Sequence, residues 1–205
     1  MTALKRTFYN GVIIAFAAIL AMILLISCSM PGTKIYSLAV PEEKTISGGQ
    51  TDASVNVTVH SPRYLGQSYI AYRTSPYQID LSRYSRWDMP PVDLVRDAFR
   101  DGLSASGSFR EVKASVFTPG GYYNLDIYLK RFERLDEGET SSCQLLFEVK
   151  LRSPEGNEVY KKTISKTVRL EDKGFPSLAK ALSSALAEGI GQSQSGIVSA
   201  ISGAK

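Results

Sequence analysis

The stretch Tyr122 to Arg134, YYNLDIYLKRFER, predicts the fold of this chain more directly than any other part. Every second residue from Leu125 to Leu129 is apolar, which is the period of a β-strand with one buried face. The run Gln144 to Arg152, QLLFEVKLR, alternates in the same way, and Asp136-Glu137-Gly138 provides a turn between the two runs. These two strands predict an antiparallel hairpin with one apolar face, which another element must bury.

Further strands are expected on both sides of this hairpin because apolar residues alternate or cluster between turn residues. They are Ile35 to Val40, Ser54 to Val59, Phe109 to Phe117 and Val159 to Leu170. Between His60 and Trp87 the chain is rich in tyrosine and turn residues, and short extended pieces are expected there.

Two helices are predicted to cover the sheet. The first begins at Pro90-Pro91 and has apolar residues at spacings of three and four as far as Leu103. The second runs from Pro176 to about Ile201, although the glycines in its later turns weaken it. The first helix lies in the long crossover between the Ser54 and Phe109 strands, and such a connection suits a parallel pair.

The expected fold class is therefore α/β. It is a single domain over residues 35–205, with a mixed, largely antiparallel sheet of about five strands covered by two main helices.

The N-terminal segment predicts export. Lys5 and Arg6 precede an apolar body that ends in Leu25-Ile26-Ser27-Cys28, which has the organisation of a secretory signal with a small residue at the cleavage site. The cysteine after Ser27 is similar to the lipobox of bacterial lipoproteins, in which cleavage between Ser27 and Cys28 leaves a cysteine with a diacylglycerol and an N-acyl chain such as palmitate. An uncleaved membrane anchor is the alternative, because the apolar body is long enough for a span.

On the lipobox interpretation residues 1–27 are removed and residues 28–34 form a tether with a reach of only about 20 Å. Loss of the basic residues in the signal leaves 22 basic against 20 acidic residues in the mature chain. A charge this close to balance, without a basic block, does not favour nucleic acid as a partner.

Cys143 remains as a single thiol, and its place in an alternating strand predicts a buried apolar side chain.

No known catalytic motif is complete. His60 is the only histidine, and the sequence Gly102 to Ser106 lacks the closing glycine of a nucleophile elbow. Neither a zinc-ligand pattern nor a phosphate loop is present, so the sequence predicts no metal and no cofactor apart from the lipid on Cys28. The acidic residues near Glu137 flank a turn and fit a solvated surface. We therefore expect a binding or assembly protein rather than an enzyme.

Three stretches together resemble the ABC-type transport auxiliary lipoproteins, the family that includes the paraquat-inducible intermembrane transport lipoprotein. They are Ile35 to Leu38; the segments Pro62 to Leu65, Ile70 to Ile79, Arg83 to Pro91 and Ser106 to Phe109; and Leu125 to Arg134, which ends in Arg131-Phe132-Glu133 and one further arginine. The resemblance extends over nearly the whole mature chain.

The resemblance implies a non-catalytic accessory subunit of an envelope lipid-transport machine. In such a system an ABC permease and ATPase work with a mammalian-cell-entry (MCE) domain protein, which this lipoprotein would dock at the outer membrane, facing the periplasm. Ser29, directly after the lipidated cysteine, favours sorting to the outer membrane rather than the inner one. Assembly into a homo-oligomer is left open.

The segment Arg83 to Pro91 contains Tyr84, Arg86 and Trp87, which are the candidate partner-binding residues because tryptophan and arginine are enriched at interface hot spots. The alternative for Trp87 is a structural role in the core. Two other functions remain: a structural envelope lipoprotein that scaffolds an outer-membrane complex without handling lipid, and a soluble lipid carrier. The carrier requires a large apolar cavity, of which the one-sided strands give no sign.

Overall fold

The computed structural model describes residues 32–40 and 50–203 of the chain. All elements of this part belong to the compact unit that begins at Thr33. The strands are β1 Lys34–Tyr36, β2 Ser54–His60, β3 Tyr69–Ser75, β4 Gln78–Trp87, β5 Glu111–Lys113, β6 Tyr123–Glu137, β7 Thr140–Arg152 and β8 Glu158–Arg169; the helices are α1 Pro91–Ala105 and α2 Phe175–Gly203, with a 3₁₀ turn at Arg63–Gly66.

Strand β6 is the central element of the sheet. One of its edges pairs along its length with β7, antiparallel. The other edge is shared, because β2 pairs with the first half of β6, where His60 lies opposite Tyr128, and β3 pairs with the second half, where Tyr72 lies opposite Arg134. Strands β2 and β3 are both parallel to β6, so they follow one another along the same edge, with the 3₁₀ turn between them.

The remaining strands extend the sheet outward from these pairs. Strand β5 lies outside β2 in parallel, β8 lies outside β7 in antiparallel, and β4 lies outside β3 in antiparallel. Strand β1 then pairs with the end of β4 in parallel. The result is a mixed sheet of eight strands in the described part of the chain.

Both helices cover the same face of the sheet and contact each other. Alternating residues of β7, from Cys143 to Leu151, are fully buried against them, as the period-two pattern predicts. One continuous hydrophobic core therefore lies between the sheet and the helices. Within the described ranges, neither helix is both long and apolar enough to cross a membrane.

The structure confirms a single mixed α/β domain covered by two main helices, but it corrects the expected number of about five strands. The region from His60 to Trp87, expected to hold short extended pieces, forms the ordered hairpin β3–β4. The strand expected at Phe109 to Phe117 is limited to β5, after which the chain leaves the sheet. The predicted parallel pairing of the Val55 strand with this strand is confirmed.

The glycines of α2 do not end the helix, which continues to Gly203. At Gly189 an added Cβ would lie 2.8 Å from the ring of the buried Phe147, whereas at Gly191 it would meet nothing within 4 Å. We expect Gly189→Ala to lower the free energy of unfolding by about 1 to 3 kcal/mol through overpacking. Gly191→Ala should raise it by up to about 1 kcal/mol through helix propensity. Chemical denaturation of the pair tests this, and equal effects would contradict the close approach at Gly189.

Candidate functional site

The hairpin β3–β4, residues 69–87, carries several exposed aromatic and apolar side chains, and we call it the hairpin arm. Tyr77 at its turn is 97% exposed, Tyr84 is 43% exposed and Leu81 is 38% exposed. Large apolar side chains that share one exposed element are typical of an interaction surface rather than of a solvated one. Interfaces are also enriched in tyrosine.

The pairing of the two strands within the arm is irregular around Tyr84. Tyr69 lies opposite Arg86, but Ala71 lies opposite Leu81. One residue of β3 therefore faces the four residues 82–85 of β4, which form a bulge. From Tyr84 onward the strand alternates regularly: Tyr84 and Arg86 are exposed, whereas Ser85 and Trp87 are buried.

Arg86 belongs to a row of side chains that crosses three strands at the base of the arm. Its guanidinium lies 4.7 Å from the centre of the Tyr69 ring, in a cation–π contact. Ile35 of β1 is the register partner of Arg86 and is 70% exposed. The base of the arm thus combines an exposed apolar group, a fixed positive charge and an aromatic ring.

Trp87 is placed differently from the other two candidate binding residues. Its side chain is only 2% exposed and packs edge-on against Phe132, with 5.4 Å between ring centres. This burial removes its indole from the surface and supports the structural alternative for Trp87. Tyr84 and Arg86 are the candidates that stay accessible.

A buried carboxylate joins the hairpin arm to the centre of the sheet. Glu133 of β6 is 0% exposed, and its Oε1 accepts a hydrogen bond from Nε of Arg73 at 2.5 Å. Its Oε2 accepts the hydroxyl hydrogen bond of Tyr64, in the 3₁₀ turn, at 2.9 Å. Burial first, and then the neighbouring carboxylate, raises the pKa of Tyr64 to about 12. The cluster fills the position on the edge of β6 where β2 has ended and β3 begins.

The face of the sheet opposite the helices, which we call the open face, is polar. His60 Nε2 lies 3.3 Å from Oδ1 of Asp126, and its ring stacks on Tyr128 at 4.9 Å. Nη1 of Arg152 lies 2.9 Å from Oδ2 of the same Asp126. These contacts form a network of ion pairs and hydrogen bonds between neighbouring strands.

Groups that could perform metal or thiol chemistry are sparse. Within residues 32–40 and 50–203, no set of three or more histidine, cysteine, aspartate or glutamate side chains is grouped to hold a metal ion. Cys143 is fully buried, and its burial raises the thiol pKa to about 12, so the side chain is a protonated core residue at neutral pH. The residues predicted for cleavage, lipidation and sorting, Ser27, Cys28 and Ser29, lie outside the described residues.

Sequence reasoning missed the contact between Tyr64, Arg73 and Glu133, and the exposure of Tyr77. The signal for the cluster was present, because each of its three residues lies in a stretch that carries the family resemblance. Separations of up to 69 residues hide such a contact from any local pattern. Tyr77 follows Pro76, and that turn alone indicated where a hairpin tip could lie.

Comparison with known proteins shows the family. The sequence model of the family "ABC-type transport auxiliary lipoprotein component" matches residues 36–192 of this chain. No protein with a curated description matches the sequence.

Two crystal structures share the fold. Protein XCC0632 from Xanthomonas campestris is 19% identical, with a TM-score of 0.74 over 82% of this chain and 97% of that chain. A second crystal structure, of an uncharacterized protein, is 17% identical, with a TM-score of 0.62 over 83% of this chain and 99% of that chain.

The matched range contains the whole hairpin arm, the cluster around Glu133 and most of both helices. The chain therefore belongs to the family of ABC-type transport auxiliary lipoprotein components.

Proposed function

We propose that this protein is the non-catalytic accessory lipoprotein of an ABC and MCE system that moves phospholipid between membranes, and that it docks the periplasmic MCE protein at the outer membrane. Membership of the family gives the coarser part of this statement, an auxiliary lipoprotein of an ABC-type transport system in the cell envelope. The lipid cargo, the MCE partner and the outer membrane are the proposed part.

Docking requires an accessible surface, and the hairpin arm is the observation that carries this proposal. Tyr77, Leu81 and Tyr84 are exposed along the hairpin arm, and at its base the guanidinium of Arg86 is held by its contact with Tyr69. Binding energy concentrates in a few tyrosine, tryptophan and arginine residues. A side chain that is already fixed also loses less entropy on binding.

The predicted tether is consistent with a docking role. The segment from Cys28 to Lys34 reaches at most about 20 Å, so a domain held by a lipid on Cys28 stays close to its membrane. A partner from the opposite membrane must then extend across the periplasm to reach it. Acylation of Cys28 in the native protein, and removal of the residues before it, can be read directly by mass spectrometry.

Removal of either accessible side chain is expected to weaken the complex. We predict that Tyr84→Ala and Arg86→Ala each reduce affinity for the MCE protein by about 5- to 30-fold. Both side chains are exposed, so unfolding free energies should stay within about 0.5 kcal/mol of the unmodified chain. Affinity is measured by binding of the purified full chain to a purified MCE-domain protein of the same organism.

Phe117→Ser provides the matched control, because Phe117 is 85% exposed but lies on the loop between β5 and β6. It should bind the MCE protein normally. If Tyr84→Ala and Arg86→Ala also bind normally, the arm is not the docking surface. If the unmodified chain captures only outer-membrane assembly proteins and no MCE protein, the scaffold function replaces the transport function.

A further inference from the structure

The loop between β5 and β6 presents two neighbouring apolar side chains to solvent. Val116 is 89% exposed and Phe117 is 85% exposed, and we call this pair the apolar tip. Residues 114–125 around it contain no charged side chain, and Tyr122 and Tyr123 follow at the base of the loop. Transfer of exposed valine and phenylalanine side chains from water into an apolar environment has a favourable free energy, and no charged side chain in this segment opposes it.

The loop is fixed in position by a buried side chain. Asn56 of β2 is 0% exposed, and its Nδ2 donates to the carbonyl oxygen of Ser115 at 3.1 Å and lies 3.2 Å from Oγ1 of Thr118. Its Oδ1 accepts from the backbone N–H of Ser115 at 2.9 Å. The hydroxyl of Thr118 in turn donates to Oδ1 of Asn124 at 2.6 Å. The apolar tip is therefore held outward by hydrogen bonds on both of its flanks.

These contacts also show on which side of the sheet the tip lies. Val55 and Val57 are buried toward the helices, so Asn56 between them points to the open face. Because β5 and β6 lie on opposite sides of β2 and both run parallel to it, the loop that joins them must cross β2. Its bonds to Asn56 place the crossing, and with it the apolar tip, on the open face.

On the open face beyond the tip, four cationic side chains are grouped around two carboxylates. Lys130, Lys150 and Lys161 lie 3.3, 3.3 and 3.8 Å from the carboxylate of Glu148. Arg152 contacts Asp126 on the same face. Four cationic side chains thus share two carboxylates, so this group carries more positive than negative charge. The side chains of Lys130 and Lys161 are about half exposed.

We propose that the apolar tip and these cationic side chains form a surface that binds an anionic phospholipid bilayer, with Val116 and Phe117 inserted at the boundary between headgroups and acyl chains. The negative headgroups of such a bilayer complement the cationic side chains, and the acyl layer beneath them complements the apolar tip. The tip is a protrusion, and a soft lipid layer accepts it without a matching pocket. The surface lies in a different half of the sheet from the hairpin arm and does not depend on docking of an MCE protein.

Fluorescence of a probe attached at the tip tests this assignment. The full chain with Phe117→Cys is labelled with an environment-sensitive fluorophore and reconstituted into vesicles of phosphatidylethanolamine and phosphatidylglycerol. Neither native cysteine competes for the label in the acylated protein, because the sulfur of Cys28 carries the diacylglycerol and Cys143 is buried with a thiol pKa of about 12. The matched control is Tyr77→Cys, which is 97% exposed on the hairpin arm.

The emission of the probe at 117 should shift to shorter wavelength, brighten severalfold and be quenched by brominated acyl chains. The emission of the probe at 77 should stay that of a probe in water. Neutral phosphatidylcholine vesicles, or the additional substitution Lys150→Glu, should reduce the change at 117. The same aqueous signal at both positions in anionic vesicles would overturn the proposal. So would a signal at 117 that changes only when a partner protein is added, because the tip would then contact protein.

Discussion

Trp87→Ala is expected to lower the free energy of unfolding by about 3 to 5 kcal/mol. Its side chain is 2% exposed and packs against Phe132 of the central strand, so truncation leaves a cavity in the hydrophobic core. Strand β4 ends at Trp87, which pairs with Tyr36 of β1, and loosening of this end should expose the surrounding core. Because Trp87 is the only tryptophan, unfolding is followed by circular dichroism rather than by fluorescence.

Trp87→Phe is the matched control for this prediction. Among the described residues the indole Nε1 has no hydrogen-bond partner, so a phenyl ring loses packing volume but no hydrogen bond. The variant should therefore be much less destabilised than Trp87→Ala. A change below about 1 kcal/mol for Trp87→Ala would contradict the core role of this side chain.

Glu133→Ala is expected to have a comparable effect, about 3 to 5 kcal/mol, because it leaves charged Arg73 and the Tyr64 hydroxyl without their buried acceptor. Glu133→Gln keeps the shape of the side chain and one acceptor oxygen. Its free energy of unfolding should lie between that of Glu133→Ala and that of the unmodified chain. The exposed turn residue Glu139 provides the control, since Glu139→Ala should change stability by less than about 0.5 kcal/mol.

The combined replacement of Tyr64, Arg73 and Glu133 by phenylalanine, methionine and leucine separates two explanations. If the cost of Glu133→Ala comes from unpaired buried groups, the apolar triple variant should recover most of the lost stability. A triple variant as unstable as Glu133→Ala would show that the ion pair itself is required. Equilibrium denaturation of the set gives the comparison.

The sequence predicted those elements whose periodicity matches their burial. Strands β6 and β7 alternate along most of their length, and both helices keep apolar residues at spacings of three and four, because each has one face toward the core. The parallel crossover through α1 followed from chain length and handedness rules alone. These features need only local patterns and one general rule of topology.

The hairpin arm could not be predicted in the same way. Its tyrosines are amphipathic and fit either face of a sheet, and the bulge at 82–85 breaks the period of two. The division of the β6 edge between β2 and β3 is a long-range arrangement that no local pattern specifies. Equally, nothing near Asn56 in sequence indicates that it fixes a loop around Ser115, 59 residues away.

Site-specific photo-crosslinking in intact cells tests the central claim, docking of an MCE protein on the hairpin arm, most directly. A photoreactive phenylalanine is placed at position 77 or 84 on the arm and, as a control, at position 117 on the apolar tip. The account predicts adducts with the MCE protein, identified by mass spectrometry, from positions 77 and 84 and not from 117. Adducts from the arm that contain only outer-membrane assembly proteins, or MCE adducts from 117 alone, would contradict it.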